Sequence, residues 1–355
     1  MNKLKAAVIG CGRIGTYTRP ELRISLPEGS LPVNHAEAIL ANKRLQLIAL
    51  CDINAENMIR ASKTYGITQC FSDYRELILD VKPDIVSIAT RTLGRCDILK
   101  FAAENGVKGI HLEKPISTNL SECNEAIGLA KRNNMYLTYG TVRRFMDVYR
   151  RAKTMLDEGE IGDLVQVSVE MGKTLLLWNH PHSIDMMIFF SECDEVEYVQ
   201  GNCIFKKSPA GNPLVIDDDP LVESALIKFK NGVSGLITSG AGGNVTLYGT
   251  DGNLIIAADG SWLELQKRVD KSPYFLGVSR LNVKAEMSGT QRAFFELFSA
   301  IQSGVPLSIT PEEIEISQRA LLAIAFSSFH DGRRVEISEI PPEFTVTGRF
   351  GDNFS

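Results

Sequence analysis

The feature that most constrains the fold is a glycine motif that directly follows a short apolar run. Residues 6–9 read Ala-Ala-Val-Ile, and residues 10–15 read Gly-Cys-Gly-Arg-Ile-Gly. A G-x-G-x-x-G motif between a strand and a helix is typical of dinucleotide-binding units. The first glycine permits a tight turn, the second lets a pyrophosphate approach the backbone, and the third lets the helix pack on the strand. The expected cofactor contacts here are Gly10, Gly12, Arg13, Ile14 and Gly15.

An acidic residue ends the second predicted strand, as such a unit requires. Residues 45–51 are mostly apolar, and Asp52 and Ile53 come directly after them. A carboxylate at this position accepts hydrogen bonds from the adenosine ribose hydroxyls and repels a 2′-phosphate. No arginine follows immediately. The sequence therefore favours NAD over NADP, with Asp52 and Ile53 as further cofactor-binding residues.

The spacing within this unit predicts an insertion. Asp52 lies 37 residues after Gly15, whereas an uninterrupted unit places the acid about 20 residues after the glycines. The excess falls in residues 16–34, whose prolines and glycine prevent one continuous helix. Asn34 and Glu37 then form a capping pattern that restarts the helix. Two interpretations remain open, a lid on the substrate side of the sheet and a disordered surface loop.

Strand and helix patterns alternate up to about residue 140. This alternation predicts a doubly wound parallel sheet with right-handed crossovers. At 355 residues the chain is long enough for two domains, and we assign residues 1–140 to an NAD-binding Rossmann domain. The elements predicted after residue 70 are a short helix capped by Asp73 and Glu76, helices at 95–105 and 121–133, and strands at 84–90, 108–113 and 135–139.

Polar residues stand at the carboxyl ends of two of these strands, where open α/β sheets bind their ligands. One strand continues into residues 90–92, and the next ends in the motif Glu-Lys-Pro at residues 113–115. The expected cofactor contacts at these two ends are Thr90, Arg91, Thr92, Glu113 and Lys114.

From about residue 160 the pattern changes to the period of two that is typical of strands with one buried face. Asn231-Gly232 and Asp251-Gly252 are strong hairpin turns between such segments. The glycine-rich residues 240–243 are interpreted as a turn or a join between strands. Residues 310–329 form a capped final helix, and its packing against the first domain is left open. We therefore predict that residues 141–355 form an α+β domain with a large, mostly antiparallel open sheet, for substrate binding and oligomerisation.

Charge and cysteine content exclude several classes of partner. The net charge of −5 argues against nucleic acid or an anionic membrane as the main partner. Seven cysteines are scattered without a Cys-x-x-Cys pair. This pattern fits a reducing compartment and provides neither a disulfide framework nor a zinc knuckle. Because the sequence also lacks a signal-peptide layout and an apolar run of membrane-spanning length, we expect a cytoplasmic protein.

These segments together resemble the Gfo/Idh/MocA family of NAD(P)-dependent sugar and polyol dehydrogenases. The resemblance covers nearly the whole chain. It implies an N-terminal Rossmann domain, a C-terminal domain whose open sheet packs into homodimers or homotetramers, and a cis bond between Lys114 and Pro115. The segments that carry it are residues 10–15, 52, 84–90, 113–115, 143–145, 158–162, 182–185, 294–304 and 310–331.

The resemblance also implies which residues handle the chemistry. Oxidation of a secondary alcohol requires a group that takes the hydroxyl proton while hydride leaves for nicotinamide. In the family, the lysine of the Glu-Lys-Pro motif contacts substrate and cofactor, and a residue of the second domain is the acid/base. These positions correspond to Lys114 and His182. A lysine that is partly desolvated at the end of a strand can have its pKa lowered towards this task.

The sequence before His182 departs from the family pattern. Relatives similar to inositol dehydrogenases carry an aspartate four residues before the histidine, where this chain has Trp178. Tryptophan cannot tune a lysine by charge, although it can stack on the face of a sugar. The expected substrate-binding residues are Arg143, Trp178, Asn179, His180 and His182, with Glu170 as a weaker candidate at the end of a strand.

Other polar residues are expected to be structural. His180 and His182 have the spacing of a metal-binding pair, but no third ligand has a convincing position, so no metal is expected. The remaining residues that we interpret as structural are His35, His111, Arg144, Asp185 and His330.

The function favoured by the sequence is an NAD-dependent dehydrogenase that oxidises a secondary alcohol of a sugar, inositol or sugar derivative. Two alternatives use the same fold. One is a redox-assisted glycoside hydrolase that uses bound NAD transiently. The other is a non-catalytic NAD(P)-sensing regulator, for which the missing aspartate before His182 is the best argument.

Overall fold

The computed structural model describes residues 3–206, 214–269 and 272–348. The elements of the first part of the chain are β1 (Leu4–Ile9), α1 (Arg13–Thr16), α2 (Pro20–Ser25), α3 (His35–Ala41), β2 (Leu45–Cys51), α4 (Ala55–Tyr65), β3 (Gln69–Phe71), α5 (Tyr74–Val81), β4 (Ile85–Ile88), α6 (Arg95–Glu104), β5 (Gly109–Leu112), α7 (Leu120–Arg132) and β6 (Tyr136–Tyr139). Within the described residues, the strands form one parallel sheet in the order β3-β2-β1-β4-β5-β6. This order confirms the predicted Rossmann fold.

The strand order reverses between β1 and β4, and the ligand crevice of such a sheet opens at this point. Every residue of β4 and β5 is buried, because helices cover both faces of the sheet. The glycine motif follows the carboxyl end of β1, Thr90 follows that of β4, and Glu113 follows that of β5. The topology therefore brings three of the predicted cofactor segments to one edge.

The second part of the chain is built around another sheet. Its elements are α8 (Asp147–Asp157), β7 (Leu164–Glu170), β8 (Thr174–Leu175), α9 (Leu176–Ser191), β9 (Val196–Ile204), β10 (Val215–Ile216), β11 (Leu221–Phe229), β12 (Ser234–Thr238), β13 (Asn244–Gly249), β14 (Gly252–Ala257), β15 (Trp262–Lys267), β16 (Gly277–Leu281), α10 (Gly289–Ser303), α11 (Pro311–Phe329) and β17 (Thr345–Val346). In the described ranges, this sheet has nine strands in the order β16-β15-β14-β13-β7-β12-β11-β8, with β9 also paired to β11. The pair of β7 and β12 is parallel, and the other pairs are antiparallel. The predicted mostly antiparallel sheet is confirmed.

The predicted turns of this sheet are also confirmed. Asn231-Gly232 joins the antiparallel strands β11 and β12, and Asp251-Gly252 joins β13 and β14. Residues 240–243 connect β12 to β13 around the end of β7, where the Gly243 amide donates to the Glu170 carbonyl (2.9 Å). The glycine-rich segment is therefore a join between strands, as expected from the sequence.

Strand β9 was not predicted from the sequence. Its alternation is interrupted at Gly201, where a Cβ would lie 2.4 Å from the carbonyl oxygen of Ile324 in α11. The glycine therefore lets α11 approach the backbone of the strand closely. A pattern based on side-chain polarity is weakened where a buried position of the strand, Gly201, has no side chain.

The two parts of the chain interlock. Helix α10 packs beneath the first sheet, where Phe294, Leu297 and Phe298 join the apolar cluster that contains Leu4 of β1. Helix α11 contacts the first domain through Gln318, which donates to the Ser117 carbonyl (3.0 Å). The boundary at residue 140 stays a prediction, because a later helix completes the packing of the first sheet.

The predicted interruption between residues 16 and 34 is present. Helix α1 ends after one turn, α2 has no buried residue, and α3 begins after Asn34, whose side chain accepts from the Glu37 amide (2.9 Å). The insertion contacts the second part of the chain, since the Ser288 hydroxyl donates to the Pro32 carbonyl (2.6 Å). These contacts give the segment a defined position without deciding between a lid and a surface insertion.

A buried charge cluster, called here the Arg144 cluster, comprises Arg144, Asp185 and Glu313. The Arg144 guanidinium pairs with Asp185 (2.8 Å) and Glu313 (3.1 Å) and donates to the Ser308 carbonyl (2.7 Å). Burial raises the pKa of Asp185 to about 6 against the opposing charge of Arg144. The predicted structural roles of Arg144 and Asp185 are confirmed by these contacts.

No helix among the described residues has the length and apolar character that crossing a bilayer would require. The cytoplasmic location stays a prediction.

Candidate active site

The glycine turn after β1 has the shape that a dinucleotide needs. At Gly10, whose φ is +98°, a Cβ would lie 2.6 Å from the carbonyl carbon of Ala89, and at Gly15 it would lie 1.8 Å from the Gly10 oxygen. At Gly12 a Cβ would meet nothing within 4 Å. The protein's own packing therefore requires Gly10 and Gly15, whereas Gly12 faces open space that a pyrophosphate can enter.

Two further predicted contacts, Arg13 and Ile14, lie in the first turn after the glycines. The Arg13 residue is half-buried, and the Ile14 side chain is exposed. Both therefore border the space in front of Gly12.

Asp52 is tied to the glycine turn. Its Oδ2 accepts from the Cys11 amide (2.6 Å), and its Oδ1 accepts from the Asn54 amide (2.7 Å). Ile53 is 94% exposed, so its side chain is open to a ligand. The position of the Asp52 carboxylate is consistent with contact to the adenosine ribose of a bound cofactor.

Arg60 is a residue at this site that the sequence did not indicate. Its guanidinium donates to the Cys11 carbonyl (3.1 Å) from helix α4. Arg60 lies eight residues after Asp52, so a search for an arginine directly after the acid does not find it. Its positive charge stands close to the carboxylate that favours NAD.

Arg95 connects the ends of β4 and β5. The buried guanidinium donates to the carbonyls of Glu113 (2.8 Å), Pro115 and Thr90. Burial lowers the pKa of Arg95, and the negative charge of Glu113 opposes this effect. Arg95 looks like an ordinary first residue of a helix, so the sequence contained no signal for this role.

The residues after β4 lie at the same edge. The Thr90 hydroxyl donates to the Arg91 carbonyl (3.1 Å). Arg91 is exposed, and Thr90 and Thr92 are half-buried. Their side chains border the crevice next to the glycine turn, and their contact with a cofactor stays a prediction.

Lys114 reaches from the first domain to the second. The Lys114–Pro115 bond is cis, as the family resemblance implied. The Lys114 ammonium donates to the Trp178 carbonyl and lies 4.6 Å from the centroid of the Trp178 ring. Burial lowers the pKa of Lys114 to about 8, with Arg143 and Arg95 acting in the same direction. A lysine in this position exchanges its proton near neutral pH.

Trp178 therefore contacts the lysine directly. The ring attracts the ammonium group through a cation–π interaction, and it is 49% exposed, so part of it stays available to a ligand. The sequence predicts that tryptophan cannot tune a lysine by charge. In the structure the ammonium group instead contacts a neutral ring and a backbone carbonyl.

Asp219 provides a negative charge near the same place. It is a buried residue whose Oδ1 accepts from the Leu177 amide (2.7 Å) at the start of α9. Its charge raises the pKa of Lys114 against the effect of burial. The sequence had no pattern for this contact, because Asp219 lies in a loop 105 residues after Lys114.

His182 lies one helical turn after Trp178, on the same face of α9. Burial lowers the pKa of His182 well below its usual range, and the charges of Arg143 and Lys114 lower it further. Its Nδ1 is buried and has no hydrogen-bond partner among the residues that the structure describes. The imidazole is therefore neutral at physiological pH and has an unused nitrogen beside Lys114 and Arg143.

Arg143 is paired with a residue that the sequence did not indicate. Its Nε and Nη2 donate to the two carboxylate oxygens of Asp259 (2.7 and 3.1 Å). Asp259 has a φ of +53° in the short turn after β14, and Tyr149 donates to it (3.4 Å). A substrate that binds Arg143 would share the guanidinium with Asp259, which thereby becomes a candidate substrate contact.

His180 is not placed as expected for a substrate contact. It is fully buried, its Nε2 lies 3.1 Å from the Thr174 hydroxyl, and its Nδ1 lies 3.1 Å from the Ser183 hydroxyl. Burial lowers the pKa of His180 to about 4. Because residues two apart are about 200° apart around a helix, His180 and His182 face different sides of α9. This geometry also prevents them from sharing a metal ion.

The other two predicted substrate residues have protein partners. Asn179 donates to the Thr174 hydroxyl (3.0 Å). Glu170 accepts from Asn244 (3.0 Å), and Asn244 accepts from the Ala258 amide (3.1 Å). Glu170 is thus linked to the turn that carries the partner of Arg143, and its described contacts lie within the second domain.

Glu113 lies at the centre of a buried cluster. Its Oε1 lies 3.2 Å from His35 Nε2, and its Oε2 accepts from the Lys114 amide (3.1 Å). Burial alone would raise the pKa of Glu113, but the hydrogen bond and charge of His35, with Lys114 and Arg95, lower it to about 2. Glu113 is therefore a stable carboxylate at neutral pH.

The ligand atoms of His35, His111 and Glu113 lie within 4.8 Å of one another, and no other group in the described part of the chain could hold a metal so closely. The nearby charges of Lys114 and Arg95 oppose a bound cation. We interpret the group as a hydrogen-bonded cluster.

Comparison with known proteins agrees with this geometry. Residues 4–141 match the profile of the Gfo/Idh/MocA oxidoreductases, a family with an NAD-binding Rossmann fold. An uncharacterized oxidoreductase of Bacillus subtilis is 28% identical over 280 residues, which cover 73% of this chain and 74% of that protein. The scyllo-inositol 2-dehydrogenase (NAD(+)) of the same organism is 30% identical over 161 residues, 45% of this chain and 42% of that enzyme.

A solved structure has the same fold over nearly the whole chain. It is an oxidoreductase of Agrobacterium radiobacter in complex with NAD+, L-tartaric acid and magnesium, with a TM-score of 0.73 and 17% identity. The similarity covers 95% of this chain and 99% of that one. The two-domain architecture is therefore shared even where sequence identity is low.

Proposed function

We propose that this chain, an NAD-dependent oxidoreductase that matches the Gfo/Idh/MocA family, oxidises a secondary alcohol of a sugar, an inositol or a sugar derivative. The observation that carries the proposal is the position of Lys114. It stands at the carboxyl edge of the nucleotide-binding sheet, has a pKa lowered to about 8, and meets Trp178 of the second domain. A group that exchanges a proton near neutral pH is what alcohol oxidation requires at this place.

The cofactor, when bound, supplies the hydride acceptor. Lys114 and His182 handle the proton of the substrate hydroxyl. His182 is neutral and has an unused nitrogen, so it accepts a hydrogen bond from the hydroxyl. The proton comes to rest on the Lys114 amine, because the pKa of Lys114 is higher than that of His182.

The polar and aromatic groups of the cleft favour a polyhydroxylated substrate. The exposed part of the Trp178 ring can stack on the apolar face of a sugar or cyclitol. Arg143 and Asp259 offer a donor and an acceptor side by side, which suits neighbouring hydroxyl groups. The name of the inositol dehydrogenase relative supports the same class of substrate.

Asp52 supports the preference for NAD. Its half-buried carboxylate stands beside the glycine turn, where it accepts hydrogen bonds from ribose hydroxyls and repels a 2′-phosphate. NADP is therefore the weaker cofactor, even with Arg60 close by.

The proposal includes assembly into homodimers or homotetramers. Strand β16 is the last strand of the second sheet in the described residues, and the nearby side chains of Tyr274, Leu276 and Val278 are exposed. An apolar sheet edge is usually covered by another chain or by charged groups. Light scattering during size-exclusion chromatography tests this assembly, and a monomer at micromolar concentration would contradict it.

The decisive experiment is a screen for NAD reduction with inositols, aldoses, sugar phosphates and nucleotide sugars. We expect NADH to accumulate with at least one free polyol or sugar. Release of an aglycone from a glycoside without net NADH would instead indicate the redox-assisted hydrolase. If NAD binds and no substrate class reacts in either way, the regulator becomes the favoured function.

A further inference from the structure

We propose that His35 and Ser87 are positioning residues for Lys114, and that they act through Glu113. The three residues form a buried hydrogen-bonded chain that holds the Glu113 carboxylate in place next to the Lys114 side chain. The carboxylate in turn favours the protonated form of Lys114. This inference rests on the proposed role of Lys114 in the reaction.

The chain of contacts crosses three elements of the Rossmann domain. His35 is the first residue of α3, Ser87 lies in β4, and Glu113 directly follows β5. His35 Nδ1 lies 2.6 Å from the Ser87 hydroxyl, and His35 Nε2 lies 3.2 Å from Glu113 Oε1. His35 and Ser87 are fully buried, and Glu113 is 7% exposed. Water therefore does not replace these contacts.

Glu113 depends on these contacts because a buried carboxylate is unstable without donors. His35 Nε2 donates to Oε1, and the Lys114 amide donates to Oε2 (3.1 Å). The backbone at Gly140 closes the remaining side, since a Cβ there would lie 2.8 Å from Oε1. The pKa of Glu113, lowered to about 2, reflects the contribution of His35 against the effect of burial.

The Glu113 carboxylate only accepts hydrogen bonds, so His35 Nε2 carries a proton, and Nδ1 of a neutral imidazole then accepts from the Ser87 hydroxyl. If the imidazole is protonated, Nδ1 donates to the hydroxyl and Nε2 still donates to Glu113. In both states the contact with Ser87 keeps a donor directed at the carboxylate.

Other charged groups around Lys114 shift its pKa in addition to Glu113. Arg95 of α6 and Arg143 of the turn after β6 lower the pKa of Lys114, and Asp219, from the loop before β11, raises it. On α9, Trp178 contacts the ammonium group and His182 is neutral. Glu113 raises the pKa of Lys114 more than Asp219 does, so loss of its charge is expected to lower this pKa.

Two substitutions of His35 separate the contacts. The amide nitrogen of glutamine occupies the place of histidine Nε2, so His35→Gln retains a donor to Glu113 and loses the contact with Ser87. Asparagine reaches only the place of Nδ1, so His35→Asn retains the Ser87 contact and loses the donor to Glu113. Both remove the ring and fill a similar volume, which makes them matched variants.

His111 provides a control at the same depth. It is fully buried and its ring lies 4.6 Å from that of His35, but its Nδ1 contacts Thr138 (3.0 Å). His111→Asn retains the place of Nδ1 and leaves the contact between His35 and Glu113 in place. General loosening of this core would therefore appear in His111→Asn as well.

The test measures the titration of the Lys114 amine without a substrate. The rate at which Lys114 reacts with acetic anhydride is followed by mass spectrometry as a function of pH in the wild-type protein and the three variants. We expect His35→Asn to lower the titration midpoint by less than the full effect of a nearby charge, about one unit, because Glu113 loses the donor that holds its carboxylate beside Lys114 but stays ionised. His35→Gln and His111→Asn are expected to leave it nearly unchanged.

Equal shifts in His35→Asn and His35→Gln, or no shift in either, would overturn the proposal. If His35→Asn does not fold, Ser87→Ala is measured instead, and a smaller downward shift is expected. Metal content of the purified protein is determined in parallel, because stoichiometric metal that is lost in both His35→Gln and His111→Asn would make these residues ligands. Since the titration needs no turnover, a shift without dehydrogenase activity would leave this inference standing and remove the proposed function.

Discussion

Lys114 and the Arg144 cluster are linked through consecutive residues, since Arg143 acts on Lys114 and Arg144 forms the cluster, and they differ in how their charges are paired. Arg144 is fully buried between two carboxylates and a carbonyl. Lys114 is half-buried and contacts a neutral ring and a carbonyl oxygen. A completely paired cation has no reason to change its protonation state, whereas at Lys114 the effect of burial outweighs the opposing charges of Glu113 and Asp219 and lowers the pKa to about 8. The first arrangement supports the fold, and the second suits chemistry.

Removal of the Lys114 side chain is expected to have the largest effect on activity. We expect Lys114→Ala to lower kcat/KM by about 10²- to 10⁴-fold, the usual contribution of a positioned acid or base. NAD affinity and the free energy of unfolding should change little, because the side chain lies at the cleft. Steady-state kinetics, NAD titration and urea unfolding measure the three quantities. Substantial residual kcat would remove the assigned role.

The opposite pattern is expected for the Arg144 cluster. Arg144→Met leaves the buried Asp185 and the half-buried Glu313 without a cation, so the free energy of unfolding should fall by about 3–5 kcal/mol. Activity per folded molecule should change much less than in Lys114→Ala. Denaturant unfolding combined with kinetics on the folded fraction makes this distinction. Normal stability of Arg144→Met would contradict the structural role of the cluster.

A substitution outside both clusters tests cofactor binding alone. Asp52→Ala should weaken NAD binding by about ten- to a hundredfold, since a hydrogen bond to a charged group is worth about 1.5–3 kcal/mol. The preference over NADP should narrow at the same time, because the repulsive charge is removed. Fluorescence titration with both dinucleotides measures the change. Tighter binding of NADP than NAD by the wild-type protein would show that the ribose assignment is wrong.

The pH dependence of the reaction gives the smallest and most diagnostic effect. Alcohol oxidation needs the amine form of Lys114, whose pKa is lowered to about 8. Below this pKa the amine fraction increases tenfold per pH unit, so kcat/KM should rise with pH and level off above about 8. The reverse reaction needs the ammonium form and should weaken above the same pH. The profile of kcat/KM against pH is measured at constant ionic strength. A profile that is flat between about pH 6 and 9 would exclude Lys114 as the proton acceptor.

Local patterns predicted much of the fold. The glycine motif, the hairpin turns at residues 231–232 and 251–252 and the cap at Thr310 are all present in the structure. Each depends on residues a few positions apart, so its physical cause is contained in a short stretch of sequence. The short strands β8, β10 and β17 escaped prediction because their pairing partners lie far along the chain.

The candidate site was predictable to a smaller extent. Lys114, His182 and Trp178 were expected to meet, and the structure places Lys114 against Trp178 with His182 one turn further along α9. The partners of these residues were not expected. Asp259 lies 116 residues from Arg143, and periodicity and spacing do not indicate contacts over such separations.

The sequence by itself determined the class of the protein. A strand followed by three spaced glycines, an acid at the end of the next strand and alternating elements permit few other folds, because backbone geometry at these positions is restrictive. Only the tertiary structure decided how the charges are arranged. Burial, the distance to counter-ions and the side of a helix on which a residue lies are properties of the packed chain. They make Lys114 titratable and Arg144 structural, and they place His180 and His182 on different sides of α9.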